Sequence, residues 1–188
     1  MHEKEKQLIE ASIDLFAQEG FWNTPTSRIA KHAGVATGTL FNYFESKDVL
    51  IDAVYKQLKQ EWVAHLMVGY PQEGTLKERV EHIWFRQIDW GIRFPVRYRL
   101  MMQLKLSNLV SPEMQQSQAA ELAFAYDMIE QGIADGLLVD IPPDYLGQIF
   151  YALLEAAVHY ATENNLTDMP LTRHITQGFE MFWKAVSK

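Results

Sequence analysis

The stretch Thr26-Ser27-Arg28-Ile29-Ala30-Lys31-His32-Ala33-Gly34-Val35-Ala36-Thr37-Gly38-Thr39-Leu40-Phe41-Asn42-Tyr43 decides the fold. Its spacing is that of two short helices joined by a tight turn. Ile29 and Ala30 face inward on the first helix, and a small side chain at Ala30 lets the second helix cross closely over it. Gly34 stands where such a turn needs a left-handed backbone, which glycine adopts without steric cost. Val35 and Leu40 plug the small core between the helices. Thr37, Thr39, Asn42 and Tyr43 are then left exposed on the second helix. These polar groups can reach base edges or phosphates, and Phe41 can offer apolar contact to a thymine methyl.

Working outward, every segment reads as helix. Before the pair, Leu8, Ile9, Ile13 and Phe16 follow a three-to-four spacing from Glu3 to Gln18, and Gly20 supplies the stop. Thr24-Pro25-Thr26-Ser27 has the form of a cap opening the first paired helix, which runs to about Ala33. After the pair, Ser46-Lys47-Asp48 opens a long helix through Leu50, Ile51, Val54, Leu58, Trp62 and Leu66. Further helices are predicted over Leu76 to Ile92, Pro95 to Leu106, Ser111 to about Gly136, Asp144 to Thr162, and Pro170 to Val186. No alternating apolar-polar run flanked by hairpin turns occurs, so no sheet is expected. The predicted class is all-α with about nine helices: a three-helix helix-turn-helix domain over residues 1–48 and a helical effector-binding and dimerisation domain over 49–188.

Charge narrows the partners. The 188 residues carry a net charge of -7, which argues against indiscriminate coating of nucleic acid or anionic membrane. The charge is uneven, however. Gly20 to Phe44 contains no Asp or Glu but includes Arg28, Lys31 and His32, whereas from Val49 onward 12 Lys or Arg stand against 17 Asp or Glu. A surface kept free of carboxylates suits approach to phosphates. With 48% hydrophobic residues the chain has the material for a real core. The absence of cysteine removes disulfide scaffolds, thiolate zinc sites and thiol nucleophiles. No apolar run approaches the roughly 18 residues of a membrane span, and the charged start Met1-His2-Glu3-Lys4-Glu5-Lys6 has no apolar stretch behind it. Neither a membrane span nor a signal peptide is therefore predicted. The histidines form no His-x-x-x-His pair, and no Gly-rich phosphate loop or nucleophile elbow appears. No catalytic residue, metal or cofactor is expected.

Gly20-Phe21-Trp22-Asn23-Thr24-Pro25-Thr26-Ser27-Arg28-Ile29-Ala30-Lys31-His32-Ala33-Gly34-Val35, continued by Gly38-Thr39-Leu40-Phe41-Asn42-Tyr43-Phe44 and Ser46-Lys47, resembles the N-terminal domain of the TetR family of transcriptional regulators. The resemblance implies that Thr26, Ser27 and Arg28 meet phosphates and sometimes a base. It places Thr37, Gly38, Thr39, Phe41 and Asn42 at recognition-helix positions, and Tyr43 and Lys47 where backbone phosphate is clamped. One departure is Ala36, where a capping serine is frequent. Either Thr37 takes over the cap or the helix starts less firmly, a loss of about 1 kcal/mol.

Past residue 55 the resemblance is one of architecture. It implies helices around a small-molecule cavity and a last pair of helices docked on a second copy. Phe150, Leu153, Leu154, Ala157 and Val158 form one apolar face, and Ile175, Phe179, Phe182, Trp183 and Val186 form another, compatible with a four-helix dimer core. Trp62, His65, Trp84, Ile88, Met101, Met102, Phe124 and Met128 are the expected cavity lining, since thioethers and flat rings suit an apolar or aromatic ligand. At helical spacing the same side chains also read as plain core. Arg86, Arg93, Arg97 and Arg99 read as a solvated face or salt-bridge partners of Asp89, or as an anion-binding rim for a carboxylated ligand.

The implied function is a ligand-responsive regulator, not an enzyme. It would be a repressor that binds a palindromic operator in double-stranded DNA as a homodimer and is released by a small effector. It would work in the bacterial cytoplasm, at the nucleoid, without a membrane partner. The alternative is a DNA-binding protein of the same fold with no small-molecule effector, acting architecturally or under a protein regulator.

Overall fold

The computed structural model describes residues 2–120 and 123–188. Among these, helices account for all regular structure apart from an isolated antiparallel pairing of Leu138 with Ser187. Among the described residues ten helices are present. The helix expected from Ser111 to Gly136 covers α7 (Pro112–Ala120) and α8 (Ala123–Ala134). The stretch of that expected helix at residues 121 and 122 lies outside the described residues.

The chain packs as two compact units that interleave in sequence, one of residues 1–61 and 94–118 and the other of residues 62–93 and 119–188. The first unit holds α1 (Glu3–Glu19), α2 (Thr26–His32), α3 (Thr37–Tyr43), most of α4 (Lys47–Met67) and α6 (Pro95–Leu106). Its core is the apolar stripe of α1 (Leu8, Ile13 and Phe16) packed with Ile29, Ala30, Leu40, Leu50 and Val54. The one buried hydroxyl on that stripe, Ser12, is satisfied by donating to Leu8 O at 2.7 Å. α6 packs on α1 through Leu100, Met101 and Leu104. Burial of Leu100, Met101 and Leu104 against α1 thus adds α6 to the packing unit of the first helices.

The second unit contains the end of α4, α5 (Leu76–Arg93), α8, α9 (Pro143–Glu163) and α10 (Asp168–Val186). Its centre is Trp84 on α5, fully buried, with ring centroids of Phe150 at 5.6 Å, Phe179 at 6.2 Å and Phe182 at 6.0 Å. The Trp84 indole N–H donates to Ile175 O at 3.0 Å, which satisfies the polar atom that such burial would otherwise orphan. Val139 N donates to Val186 O at 2.8 Å and Lys188 N to Leu137 O at 3.1 Å, tying the end of α10 to the segment after α8.

Candidate nucleic-acid interface

The helix-turn-helix is built from local geometry. Gly34 takes φ +71°, and Val35 N reaches back to Ala30 O at 2.9 Å, so the chain reverses within three residues of α2. Ile29, Ala30 and Leu40 are fully buried, which fixes α3 across α2. Val35, expected as a second plug, is half-buried.

Neither short helix has a side-chain cap. The cap of α2 is Pro25, and Thr24, read from sequence as capping material, is buried and donates its hydroxyl to Gly20 O at 2.8 Å. It closes the loop before α2 and does not open the helix. The cap of α3 is Ala36 with no side-chain hydrogen bond, so of the two alternatives for this helix the uncapped start is found.

Ser27, Arg28, Thr37, Gly38, Asn42 and Phe41 are exposed, while Thr26, Thr39, Tyr43 and Lys47 are half-buried. Phe41, an apolar ring on the recognition helix, is 46% exposed. Both cations in this set already have partners. Arg28 pairs with Glu19 at 2.5 Å. The Lys47 ammonium donates to Phe21 O and lies 5.9 Å from the Phe16 ring centroid. Partial burial pushes the Lys47 amine below the usual lysine range, against the opposing pull of Asp48. Sequence could not find the Phe21 carbonyl, because a backbone acceptor carries no residue signature. An open groove of 420 Å³ beside α1 and α2 is lined by Glu3, Glu10 and Asp14 together with Lys6 and His32.

The side chains expected to line a cavity separate between the units. Met101, buried, and Met102, half-buried, belong to the first; Trp62, His65, Trp84, Ile88, Phe124 and Met128 belong to the second. Within the second unit, Phe124 and Met128 meet at Tyr70. Its ring lies edge-on to Phe124 at 5.9 Å, its hydroxyl donates to Met128 Sδ at 3.7 Å, and the same oxygen accepts from Arg79 Nε at 3.0 Å. Trp84 lies in the aromatic centre with Phe150, Phe179 and Phe182.

His65 Nε2–H donates to Asp89 at 3.0 Å, and the His65 carbonyl accepts from Arg86 at 3.0 and 2.8 Å. Burial, with Arg86 beside it, holds this imidazole below the usual histidine range, against the pull of Asp89. Three of the four clustered arginines form ion pairs, and Arg99 is exposed. Arg86 and Arg93 reach Asp89 at 3.8 and 2.7 Å, and Arg97 reaches Glu10 and Glu61 at 2.6 and 3.1 Å. Among the described residues no group of three or more His, Asp or Glu side chains is placed to hold a metal ion.

Of the side chains assigned to a dimer face, Phe150, Leu154, Ala157, Val158, Ile175, Phe179, Phe182 and Val186 are buried within their own chain. Leu153 is exposed and Trp183 half-buried. An apolar stripe states that a helix face is covered and leaves open by what. The apolar surface left on α9 and α10 includes Tyr145, Leu153, Tyr160, Met169 and Met181.

A two-helix reader with an exposed polar recognition helix, carried on an all-helical body, defines a DNA-binding regulator. A family model described as bacterial regulatory proteins of the tetR family matches residues 8–54. The chain is 29% identical over 160 residues to the HTH-type transcriptional regulator RutR of Escherichia coli (strain K12), covering 84% of this chain and 74% of that one. It is 30% identical over 77 residues to the fatty acid metabolism regulator protein of Bacillus subtilis (strain 168), a match over 41% of this chain that spans only 40% of that relative's length. The crystal structure of a TetR family transcription regulator from Shewanella sp. PV-4 has a TM-score of 0.90 at 28% identity, covering 100% of both chains. The chain belongs to the TetR family of transcriptional regulators, which are DNA-binding regulators and not enzymes. No described helix is long and apolar enough to cross a membrane.

Proposed function

We propose that the protein is a dimeric repressor that binds a palindromic operator and is released by a small apolar or aromatic effector. Residues 1–48 read the DNA and residues 49–188 hold the effector and the partner subunit. The observation that carries the reading is the recognition face itself: Thr37, Gly38, Phe41 and Asn42 exposed on α3, inside a window from Gly20 to Phe44 without a carboxylate. Asn42 offers the bidentate amide that suits adenine, and Phe41 the apolar surface that suits a thymine methyl.

One seven-residue helix makes too few contacts for useful discrimination, whereas two held about 34–36 Å apart enter successive major grooves. The exposed Leu153, Tyr160 and Met181 supply apolar surface for pairing α9 and α10 with a second copy. The adaptable group of Tyr70, Phe124 and Met128 supports an apolar effector in the second unit. An effector acts by binding the DNA-competent and incompetent arrangements with different affinity.

Selection of genomic fragments with the purified full chain tests this reading. The selected fragments should share an inverted repeat with half-sites a whole number of helical turns apart, bound with two chains per site. Fragments lacking any common inverted repeat, or bound by one chain, would sink it.

A further inference from the structure

Trp22 is 82% exposed, whereas Trp62, Trp84 and Trp90 are buried and Trp183 is half-buried. A lone exposed apolar side chain on a loop is ordinary. This loop is unusual in being pinned on both sides of the indole. The Phe21 ring packs on Phe16 at 5.3 Å, and the Phe21 carbonyl accepts from Lys47. The Asn23 amide donates to Glu19 O at 3.1 Å, and the Thr24 hydroxyl to Gly20 O at 2.8 Å. The backbone of Trp22 is thus anchored while its ring is left to solvent.

The anchors also say what the ring faces. Consecutive Cα atoms are about 3.8 Å apart, so Trp22 begins one residue from the carbonyl that holds Lys47 and four residues before Thr26, where α2 starts. Both neighbours belong to the set read as phosphate-facing, and no carboxylate occurs between Gly20 and Phe44. One indole flanked by half-buried Phe21 and the exposed Asn23 and Pro25 is far too small a patch for a protein partner. It fits the DNA backbone, whose phosphates accept hydrogen bonds and whose deoxyribose rings are apolar. Indole matches both, with one N–H donor and a flat apolar face.

We infer that Trp22 is a DNA-backbone contact beyond the recognition helix. Its N–H donates to a phosphate oxygen and its ring covers the adjoining deoxyribose. The inference rests on the DNA-binding reading above. Backbone contacts carry no direct sequence information, so Trp22 adds affinity for operator and mixed sequence alike.

The test uses the full chain with a duplex of about 30 base pairs of mixed sequence at about 50 mM salt, where backbone contacts dominate. Acrylamide quenching of tryptophan fluorescence is measured for the parent and for Trp22→Phe, and the difference isolates the Trp22 signal. DNA should shield that signal several-fold. Trp22→Ala should weaken binding roughly 5- to 10-fold on mixed and selected sequence equally, with an unchanged melting temperature because the residue is exposed. Trp22→Phe, which keeps a ring and loses the donor, should fall between. An indole that stays quenchable on bound DNA overturns the contact and leaves the DNA-binding reading standing, as does an alanine variant of parental affinity. An indole shielded before DNA is added also overturns it, since that would place the ring against another copy of the chain. A parent chain that binds no duplex overturns both readings.

Discussion

The guanidinium of Arg97 on α6 donates to the carboxylate of Glu10 on α1 at 2.6 Å. Its other amino group reaches both oxygens of Glu61 on α4, at 3.3 and 3.1 Å. One planar fork thus ties three helices of the first unit, a geometry that the point charge of lysine does not reproduce. The three side chains are 26%, 35% and 29% exposed, so water screens the network and its worth is moderate.

Arg97→Ala should lower unfolding free energy by about 1–2 kcal/mol, between an exposed pair and a buried one, and Arg97→Lys should recover less than half of that. Urea denaturation at low and high salt checks both. Full recovery by lysine would show that charge alone, without the fork, accounts for the bond.

Recognition should separate from affinity on α3. Asn42→Ala is expected to weaken binding to the selected operator by about 1–3 kcal/mol and to leave mixed-sequence binding nearly unchanged; Thr39→Ala, at a half-buried position, should do the same with a smaller loss. Competition binding against the two duplexes measures this. Equal loss on both would remove these residues from base reading.

Lys47 should behave otherwise. Its ammonium holds the Phe21 carbonyl and retains two further N–H donors that can meet a phosphate. Lys47→Ala should weaken binding to all sequences and reduce the slope of log affinity against log salt by about 1. It should also loosen the Gly20–Asn23 loop, seen as faster amide exchange there. An unchanged salt slope with faster exchange would leave Lys47 a loop tether alone.

Gly178 on α10 lies close against the aromatic centre. A Cβ there would come within 3.0 Å of Trp84 Cζ2. The indole is restrained there by its hydrogen bond to Ile175 O and by the rings of Phe150, Phe179 and Phe182. Alanine ordinarily favours a helix by about 1 kcal/mol over glycine, so the clash must exceed that gain. Gly178→Ala is expected to be net destabilising by about 1 kcal/mol in thermal unfolding, and a stabilised variant would show that the indole yields.

Stability should also decline on the acid side through His65. Burial and Arg86 lower its folded pKa below the unfolded value of 6.5, with Arg93 adding to them and Asp89 opposing. Below pH 6.5 the unfolded chain therefore takes up the proton first. The stabilisation is complete above that pH and is lost as pH falls toward the folded value. Between about pH 7 and pH 5.5 the urea midpoint of the parent should drop more steeply than that of His65→Gln, which keeps a donor for Asp89. Parallel curves would exclude the histidine as the source.

Helix positions were legible where signals are local. α3 and α6 run over Thr37–Tyr43 and Pro95–Leu106, the bounds read from sequence, because Gly34 and Pro95 mark the chain directly. Thr24 was misread because a threonine before a helix resembles a cap, yet its hydroxyl found a carbonyl four residues back. Arg86 and Arg97, close in sequence, pair within different units, Arg86 with Asp89 and Arg97 with Glu10 and Glu61.

By itself the sequence determined the helices, the turn between α2 and α3, and the carboxylate-free window, since periodicity, glycine placement and charge are properties of neighbouring residues. Tertiary structure alone decided that Lys47 meets Phe21, that Arg97 meets Glu10, and that most of the apolar stripes of α9 and α10 close on α5. Those pairings join residues distant in the chain, and an amphipathic period states that a face is buried without saying against what.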